Sequence, residues 1–328
     1  MINISTNYMG LELKSPIIIG SSGLTGSIEN IKEYETMGAG AIVLKSLFEE
    51  QLLHEIHHTI RQDESVNQYP EALDYIANYS KENAIGNYLD LIGKCKASVG
   101  IPIIASINCF SADEWTSYAS RIEKAGADAI ELNVFVLPSD PMRSSERNEK
   151  MYFTILDAVL KEVSIPVSLK ISNYFSGFAE IARKLDWAGV KGLVLFNRFF
   201  SPDVDINALK IIPSHVFSEP GEIALPLRWI GLFSGTLNCS LAGTTGIHDG
   251  KDLIKMLLVG ADAVEIVSTI YKNGSGQISL MLEELKIWMK EKGFNSIADF
   301  RGLMSFKEAG NPAAYERVQF MKHFAGIE

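Results

Sequence analysis

The sequence predicts a (β/α)8 barrel, the TIM-barrel architecture, and three observations carry that expectation. One short run of residues is written several times. Gly38–Ser46 reads Gly-Ala-Gly-Ala-Ile-Val-Leu-Lys-Ser, Gly126–Pro138 begins Gly-Ala-Asp-Ala-Ile-Glu-Leu-Asn, and Gly260–Ser268 reads Gly-Ala-Asp-Ala-Val-Glu-Ile-Val-Ser; Ala188–Asn197 is a looser copy. Each copy follows an amphipathic helical segment and ends in a polar residue, at Lys45, Asn133, Asn197 and Ser268. The runs are continuously apolar, as strands of a parallel sheet are when both faces are buried. Helix, tight turn, buried strand and polar tip, repeated around one sheet, put the tips at one end, where barrels carry out chemistry. A doubly wound open sheet shares this periodicity and is the alternative.

The elements follow in order. Ile2–Leu13 alternates around Asn7–Gly10 and predicts a hairpin closing the bottom of the barrel. Pro16–Gly20 is the first strand, stopping at Ser21, Ser22 and Gly23, small residues that let a flat ligand approach the backbone. Ser27–Met37 is helical and Ala41–Lys45 is the second strand. Leu47–Ala84 is polar and aperiodic, the pattern of a lid or binding loop. Its His54, His57 and His58 read as part of a solvated segment rather than a metal site, because no carboxylate stands at partner spacing. Ile85–Ser98 is a helix and Pro102–Asn108 the third strand; Ser111 and Glu114 form a capping box for a helix over Ala112–Ala125. The fourth strand ends at Asn133, and Leu137–Asn148 is a second irregular loop. Then come a helix over Glu149–Val163, a strand over Pro166–Ile171 with Lys170 near its tip, a helix over Phe175–Trp187 and a strand over Gly192–Phe196. Ser201–Pro226 is an insertion with short strands, followed by a helix over Leu227–Leu237. Cys239–Ala242 and Ala263–Ile266 are the last two strands, with a helix over Asp249–Val259 between them and a long helix over Gln277–Lys292 after them.

No Pro- or Ser-rich linker divides the chain, so residues 1–328 form a single domain; 328 residues of which 47% are hydrophobic suffice for one large core. The net charge of -10 argues against general nucleic-acid binding. No apolar run is long enough for a bilayer, and the N-terminus lacks the regions of a signal peptide. Three cysteines, Cys95, Cys109 and Cys239, are widely spaced; the odd count fits a reducing cytoplasm, and no metal spacing appears.

Two features carry chemistry. Gly243-Thr244-Thr245-Gly246 follows the seventh strand, and Ser268-Thr269 follows the eighth. Loops in these positions commonly form the phosphate site of a barrel, with glycine N–H groups and hydroxyls as donors. Lys45 and Lys170 end the second and fifth strands, and an interior lysine is costly to bury without an anionic partner. Beside Asn133, such lysines suit the negative charge of a reduced flavin ring, or a Schiff base of the kind barrel aldolases form.

The ordered set of Ser15-Pro16, Ser21-Ser22-Gly23, Gly38-Ala39-Gly40-Ala41 through Lys45-Ser46, Glu131-Leu132-Asn133, Lys170, Gly243–Ile247 and Ile297–Phe300 resembles the soluble branch of the dihydroorotate dehydrogenase family, flavin-dependent barrels of pyrimidine synthesis. The resemblance implies FMN as cofactor and a small-molecule substrate. It implies that Ser22 and Gly23 border the flavin ring, that Lys45, Asn133 and Lys170 hold the ring and ribityl chain, and that Gly243, Thr244, Thr245, Gly246, Ser268 and Thr269 bind the phosphate. Asn78 and Asn197 correspond to substrate-side asparagines. A homodimer, with neither a membrane nor a nucleic-acid partner, is expected.

One departure stands out. The family continues after the strand-four asparagine as Asn-Leu-Ser-Cys-Pro-Asn, or with serine for cysteine, and that Cys or Ser takes a proton from dihydroorotate. Here the run is Asn133-Val134-Phe135-Val136-Leu137-Pro138, with Val136 at the base position and the second asparagine absent. Cys109, Ser139 and Asp140 are the nearby candidates for a relocated base. An FMN oxidoreductase is therefore expected, against two alternatives: a non-redox, lysine-dependent aldolase or isomerase, and a flavin-binding protein that does not turn over dihydroorotate.

Overall fold

The computed structural model describes residues 2–48, 70–108, 112–198, 201–310 and 315. It opens with a hairpin, β1 (Thr6–Tyr8) and β2 (Leu11–Leu13). Met9 and Gly10 both take positive φ, 57° and 84°, as a tight two-residue hairpin turn requires. Then follow β3 (Ile17–Ile19), α1 (Ile28–Met37), β4 (Ala41–Val43), β5 (Leu47–Phe48), α2 (Pro70–Ser98), β6 (Ile103–Asn108), α3 (Ala112–Lys124), β7 (Ala129–Asn133), α4 (Ser145–Glu162), β8 (Val167–Ile171), α5 (Phe178–Trp187) and β9 (Gly192–Leu195). An antiparallel insertion, β10 (Pro202–Asp205) and β11 (Lys210–Pro213), precedes α6 (Ala224–Phe233), β12 (Ser240–Thr244), α7 (Gly250–Val259), β13 (Ala263–Ile266), α8 (Ser268–Asn273) and α9 (Gly276–Lys292).

Strands β3, β4, β6, β7, β8, β9, β12 and β13 pair in parallel. The last of them returns to the first, with Glu265 opposite Ile18. That pairing closes the sheet and sets aside the open doubly wound alternative. β5 continues the line of β4 and pairs with the far end of β6.

The repeated Gly-Ala has a local cause. Gly38 and Gly260 are the residues where α1 and α7 stop, at φ of 103° and 110°, and each N–H returns to carbonyls of the last helical turn. A left-handed glycine ends the helix, and the alanine after it starts the turn into the strand. Along the strands the side chains alternate. Ile17, Ile19, Ile103, Ala105, Ile130, Leu132 and Leu169 pack outward against the helices. Ile18, Ala41, Val43, Ile104, Ala129, Val194, Ala242 and Ala263 fill the barrel with Tyr8, Met9 and Leu13 of the hairpin. The hairpin is thus a plug. A Cβ on Gly192 would lie 2.9 Å from Met9 Cγ and 3.0 Å from the Tyr8 hydroxyl, so only glycine leaves it room.

Several boundaries differ from the sequence expectation. α2 starts at Pro70, so part of the expected Leu47–Ala84 loop, including Asn78, is helical. Proline suits a first helical position, and Glu71, Ala72, Leu73, Ala77, Lys81 and Glu82 are helix formers without an apolar stripe to announce them. α4 starts earlier than Glu149 because Ser144 caps it, accepting from the Arg147 N–H. α5 starts after Gly177, and α6 begins at Ala224, directly behind a 3-10 turn over Pro220–Ile223. β12 runs on through Gly243 and Thr244. His54, His57, His58, Cys109 and Ser111 lie outside the described residues, as do the side chains of Asn78 and Glu114.

Candidate functional site

The carboxyl ends of the strands surround a cavity of about 660 Å³. Ser21, Ser22 and Gly23 enter it after β3, Lys45 and Ser46 after β4, Asn133 and Phe135 from β7, Lys170 from β8 and Asn197 after β9; Thr244, Thr245, Gly246 and Ser268 complete its far wall. The period of two explains the selection: Asn133 and Lys170 stand on the interior face, and they lie opposite each other in the ladder. Asn133 Oδ1 is buried on this wall with no hydrogen-bond partner. Asn197 donates through Nδ2 to the carbonyls of Lys170, at 3.0 Å, and Val134, at 3.4 Å, so it also ties together the tips of three strands. Behind Ser21 runs a buried hydroxyl chain, Ser21 to Ser46 at 2.9 Å and Ser46 to Ser106 at 2.6 Å.

The two lysines are not equivalent. Lys170 Nζ donates to Glu265 Oε2 at 2.6 Å and lies 3.8 Å from Glu131 Oε1. Burial alone would lower its pKa, but the two glutamates outweigh that and hold the ammonium above the ordinary lysine value. Its counter-charge is therefore the protein's own. Lys45 is exposed at the rim, and among the described residues that line the cavity it is the cation without an ion pair, since Arg198 is bound to Glu222 at 3.0 Å. Glu131 is driven toward its neutral form: burial, and then the neighbouring Glu265, push its carboxyl well above the ordinary range, with Lys170 opposing. Sequence reasoning passed over these acids. Their signal was a glutamate inside an otherwise apolar run, two residues before the tip Asn133 and three before Ser268.

The two glycines of Gly-Thr-Thr-Gly do different work. Gly246 has φ of 77°, and a Cβ there would lie 2.2 Å from the Ile223 nitrogen. Thr245 also holds a positive φ, 76°, a conformation that costs a non-glycine residue about 1–3 kcal/mol and clusters at ligand sites. Gly243 instead faces outward to Met256 and Ile230 and does not line the cavity. Thr269 is fully buried; its hydroxyl donates to the His248 carbonyl at 2.9 Å. Ser268 Oγ accepts from the Ser218 N–H at 3.0 Å, which brings the segment after the β10–β11 insertion onto the cavity wall. That segment is a strap. Arg198 binds the carbonyls of Val216 and Phe217 together with Glu222, and Lys272 binds the Ser218 carbonyl and Glu219. Burial and the nearby Lys272 lower the pKa of His248, which meets Ser218 Oγ at 3.1 Å.

Val136 does not reach this cavity. It lines a separate one of about 240 Å³ with Tyr152, Phe175, Asn148 and Arg143. Phe135 faces the main cavity instead. Ser139 and Asp140 are exposed on the following loop and line neither cavity. Among the described residues no group of His, Cys, Asp and Glu is placed to hold a metal ion, and no helix is long and apolar enough to cross a membrane.

Residues 3–289 match the family model described as dihydroorotate dehydrogenase. The chain is similar to the catalytic subunit of dihydroorotate dehydrogenase B (NAD(+)) from Thermoplasma volcanium, 27% identical over 92% of this chain and 99% of the relative. It is similar to the protein of the same description from Methanocaldococcus jannaschii, 28% identical over 88% of this chain and 94% of the relative. The corresponding subunit from Listeria welshimeri is 26% identical over 92% and 98%.

Proposed function

The chain belongs to the dihydroorotate dehydrogenase family, and from that premise we propose that it is an FMN-dependent oxidoreductase whose substrate pocket has departed from dihydroorotate. The observation that carries this reading is a cavity with the donor set for a flavin and no proton acceptor at the usual position. Its volume, about 660 Å³, lies in the range of cofactor sites. The buried, unpartnered Asn133 Oδ1 is an acceptor of the kind a ring N–H requires. Gly23 and Gly246 both line the cavity. The residues present fit the group: Ser22 and Gly23 would border the ring, Lys45, Asn133 and Lys170 would hold it and its ribityl chain, and Thr244–Gly246 with Ser268 would take the phosphate. Gly243 and Thr269 would help from behind, by packing and by fixing the loops.

FMN, when bound, supplies an acceptor for hydride. The chain's own part is to orient and to exclude water. Lys45 offers positive charge at the rim that no described residue pairs with, and Lys170 offers a fixed ammonium. Such fixity argues against the lysine-dependent alternative, because a Schiff base starts from a neutral amine. Proton removal from a carbon substrate needs a base in reach. Val136 has no acceptor atom and lines another cavity, so dihydroorotate is expected to be a poor donor, about 10²–10⁴-fold below a substrate with a positioned base.

The test is an absorption spectrum followed by an FMN titration. A yellow protein, or apoprotein that takes up FMN, that is bleached by dithionite but barely by anaerobic dihydroorotate is the expected result. No FMN uptake refutes the flavin reading. Turnover of dihydroorotate at rates typical of enzymes, about 1–10³ s⁻¹, refutes the departure in substrate.

A further inference from the structure

The floor of the cavity holds two carboxyl groups for one ammonium. Glu131 and Glu265 point into the barrel from β7 and β13, exposed by only 1% each, and both face Lys170. Glu265 Oε2 is taken by Lys170, while Glu265 Oε1 and Glu131 Oε1 are buried with no hydrogen-bond partner. With both acids ionised the cluster would carry a net charge of about -1 and two orphaned anionic oxygens in a dry interior, an arrangement that costs several kcal/mol. The other titratable groups facing it do not relieve this. Tyr8, on the plug below, is itself held neutral by burial and by the two glutamates. Tyr88, on α2, donates to the Ser106 carbonyl at 3.1 Å. No second cation reaches the cluster among the described residues.

The geometry points to a shared proton: Glu131 and Glu265 hold one proton between them, so that Lys170 has one negative counter-charge rather than two and the floor is electrically neutral. Two acids that cannot both ionise at close range behave in this way. Burial, which pushes the Glu131 carboxyl up, agrees with the proton resting there, since Lys170 lies 2.6 Å from Glu265 and 3.8 Å from Glu131. Glu131 and Glu265 are positioning residues. They fix the charge of Lys170 and the sign of the floor, and neither is offered as a base. The consequence reaches the proposed cofactor, and in that respect rests on the flavin reading. A floor of charge about -1 would repel a ring that becomes anionic, whereas a neutral floor accepts it above the Lys170 ammonium.

Infrared spectroscopy on flavin-free protein tests the proton directly. At neutral pH the wild type should show the carbonyl stretch of a protonated carboxylic acid, and ¹³C-carboxyl labelling of glutamate should move it. Both E131Q and E265Q should lose the band, because whichever acid remains ionises as the sole counter-ion of Lys170. A wild-type spectrum with no glutamate-derived acid band overturns the proposal without any variant. A band retained in E265Q overturns the sharing. The second arm uses the FMN-loaded protein. E131Q exchanges a neutral acid for a neutral amide, so the midpoint potential at pH 7 should stay in place. A rise of about 30 mV or more, which is a tenfold change in a two-electron equilibrium, would report a lost negative charge and overturn the proposal. Failure to bind FMN would remove the flavin reading and leave the infrared result standing.

Discussion

Replacing Gly246 by alanine separates the cradle of the Gly-Thr-Thr-Gly loop from its packing. At φ of 77°, a side chain costs roughly 1–2 kcal/mol in the left-handed region. The new Cβ would also lie 2.2 Å from the Ile223 nitrogen and 2.7 Å from the Glu222 carbonyl carbon. These are backbone atoms of the strap, and Arg198 and Lys272 pin that strap through its carbonyls. They have no rotamer to escape into, so an overpacking cost of about 1–3 kcal/mol is added. Together, about 2–5 kcal/mol falls on a loop that must shift away from Ile223, toward the cavity. FMN affinity should weaken at least tenfold, about 1.4 kcal/mol, with the remainder seen as lost thermal stability of the apoprotein. Gly243→Ala is the control. Its Cβ would meet only the ends of flexible side chains, Met256 Sδ at 3.0 Å and Ile230 Cδ1 at 3.1 Å, and it should leave FMN affinity in place. Fluorescence titration of FMN against both variants, with a thermal melt of each, is the assay. Wild-type affinity in a folded G246A, or lost affinity in a folded G243A, refutes the assignment of the cradle.

Three other outcomes are expected. Lys45→Met should weaken FMN binding about 10- to 100-fold, the worth of a hydrogen bond to a charged group, without lowering the melting temperature, because Lys45 is exposed and makes no ion pair among the described residues; unchanged affinity would remove it from the site. Glu131 makes stability depend on pH: its folded-state pKa is raised, so the folded protein binds more protons than the unfolded one, and stability falls as pH rises from about 4.3, the ordinary glutamate value, toward the native value. E131Q should lack that slope, gaining on the wild type by about 1.4 kcal/mol per pH unit in denaturant titrations across the window; parallel curves would show that Glu131 does not hold a proton. Val136→Cys should not confer dihydroorotate oxidation, since residue 136 lines the neighbouring cavity beside Tyr152; a gain of about 10² in the rate of flavin reduction, the low end of what a base supplies, would show that this loop turns over in the working enzyme.

The barrel was legible because its punctuation is chemical. Each repeated glycine sits where a helix must stop in a left-handed turn, and the polar tip follows seven or eight residues later, which places Lys45, Asn133 and Asn197 on one rim from the sequence alone. What escaped was whatever depends on contacts distant in sequence. Lys170 and Glu265 are 95 residues apart, and nothing local says that one neutralises the other. Gly243 and Gly246 look alike in a motif, yet the pleat of β12 turns one outward while the turn after it lays the other against the strap. The direction of Val136 is likewise set just past the end of β7, where Phe135 takes the cavity side. The start of α2 was hidden for the opposite reason: its first turns carry no apolar stripe, and an aperiodic polar stretch reads as loop.

The plug also constrains the order in which the chain can be assembled. Met9 donates its N–H to Ser240 Oγ across 231 residues of chain, and its side chain packs over Gly192. Contacts of such sequence separation form late, because the loop entropy they close must be offset by structure already in place. The seat of the hairpin is built by β9 and β12, through Gly192 and Ser240. The plug is also the lower wall of the Glu131–Glu265 site, because it sets the buried Tyr8 beside both acids and keeps bulk water from them.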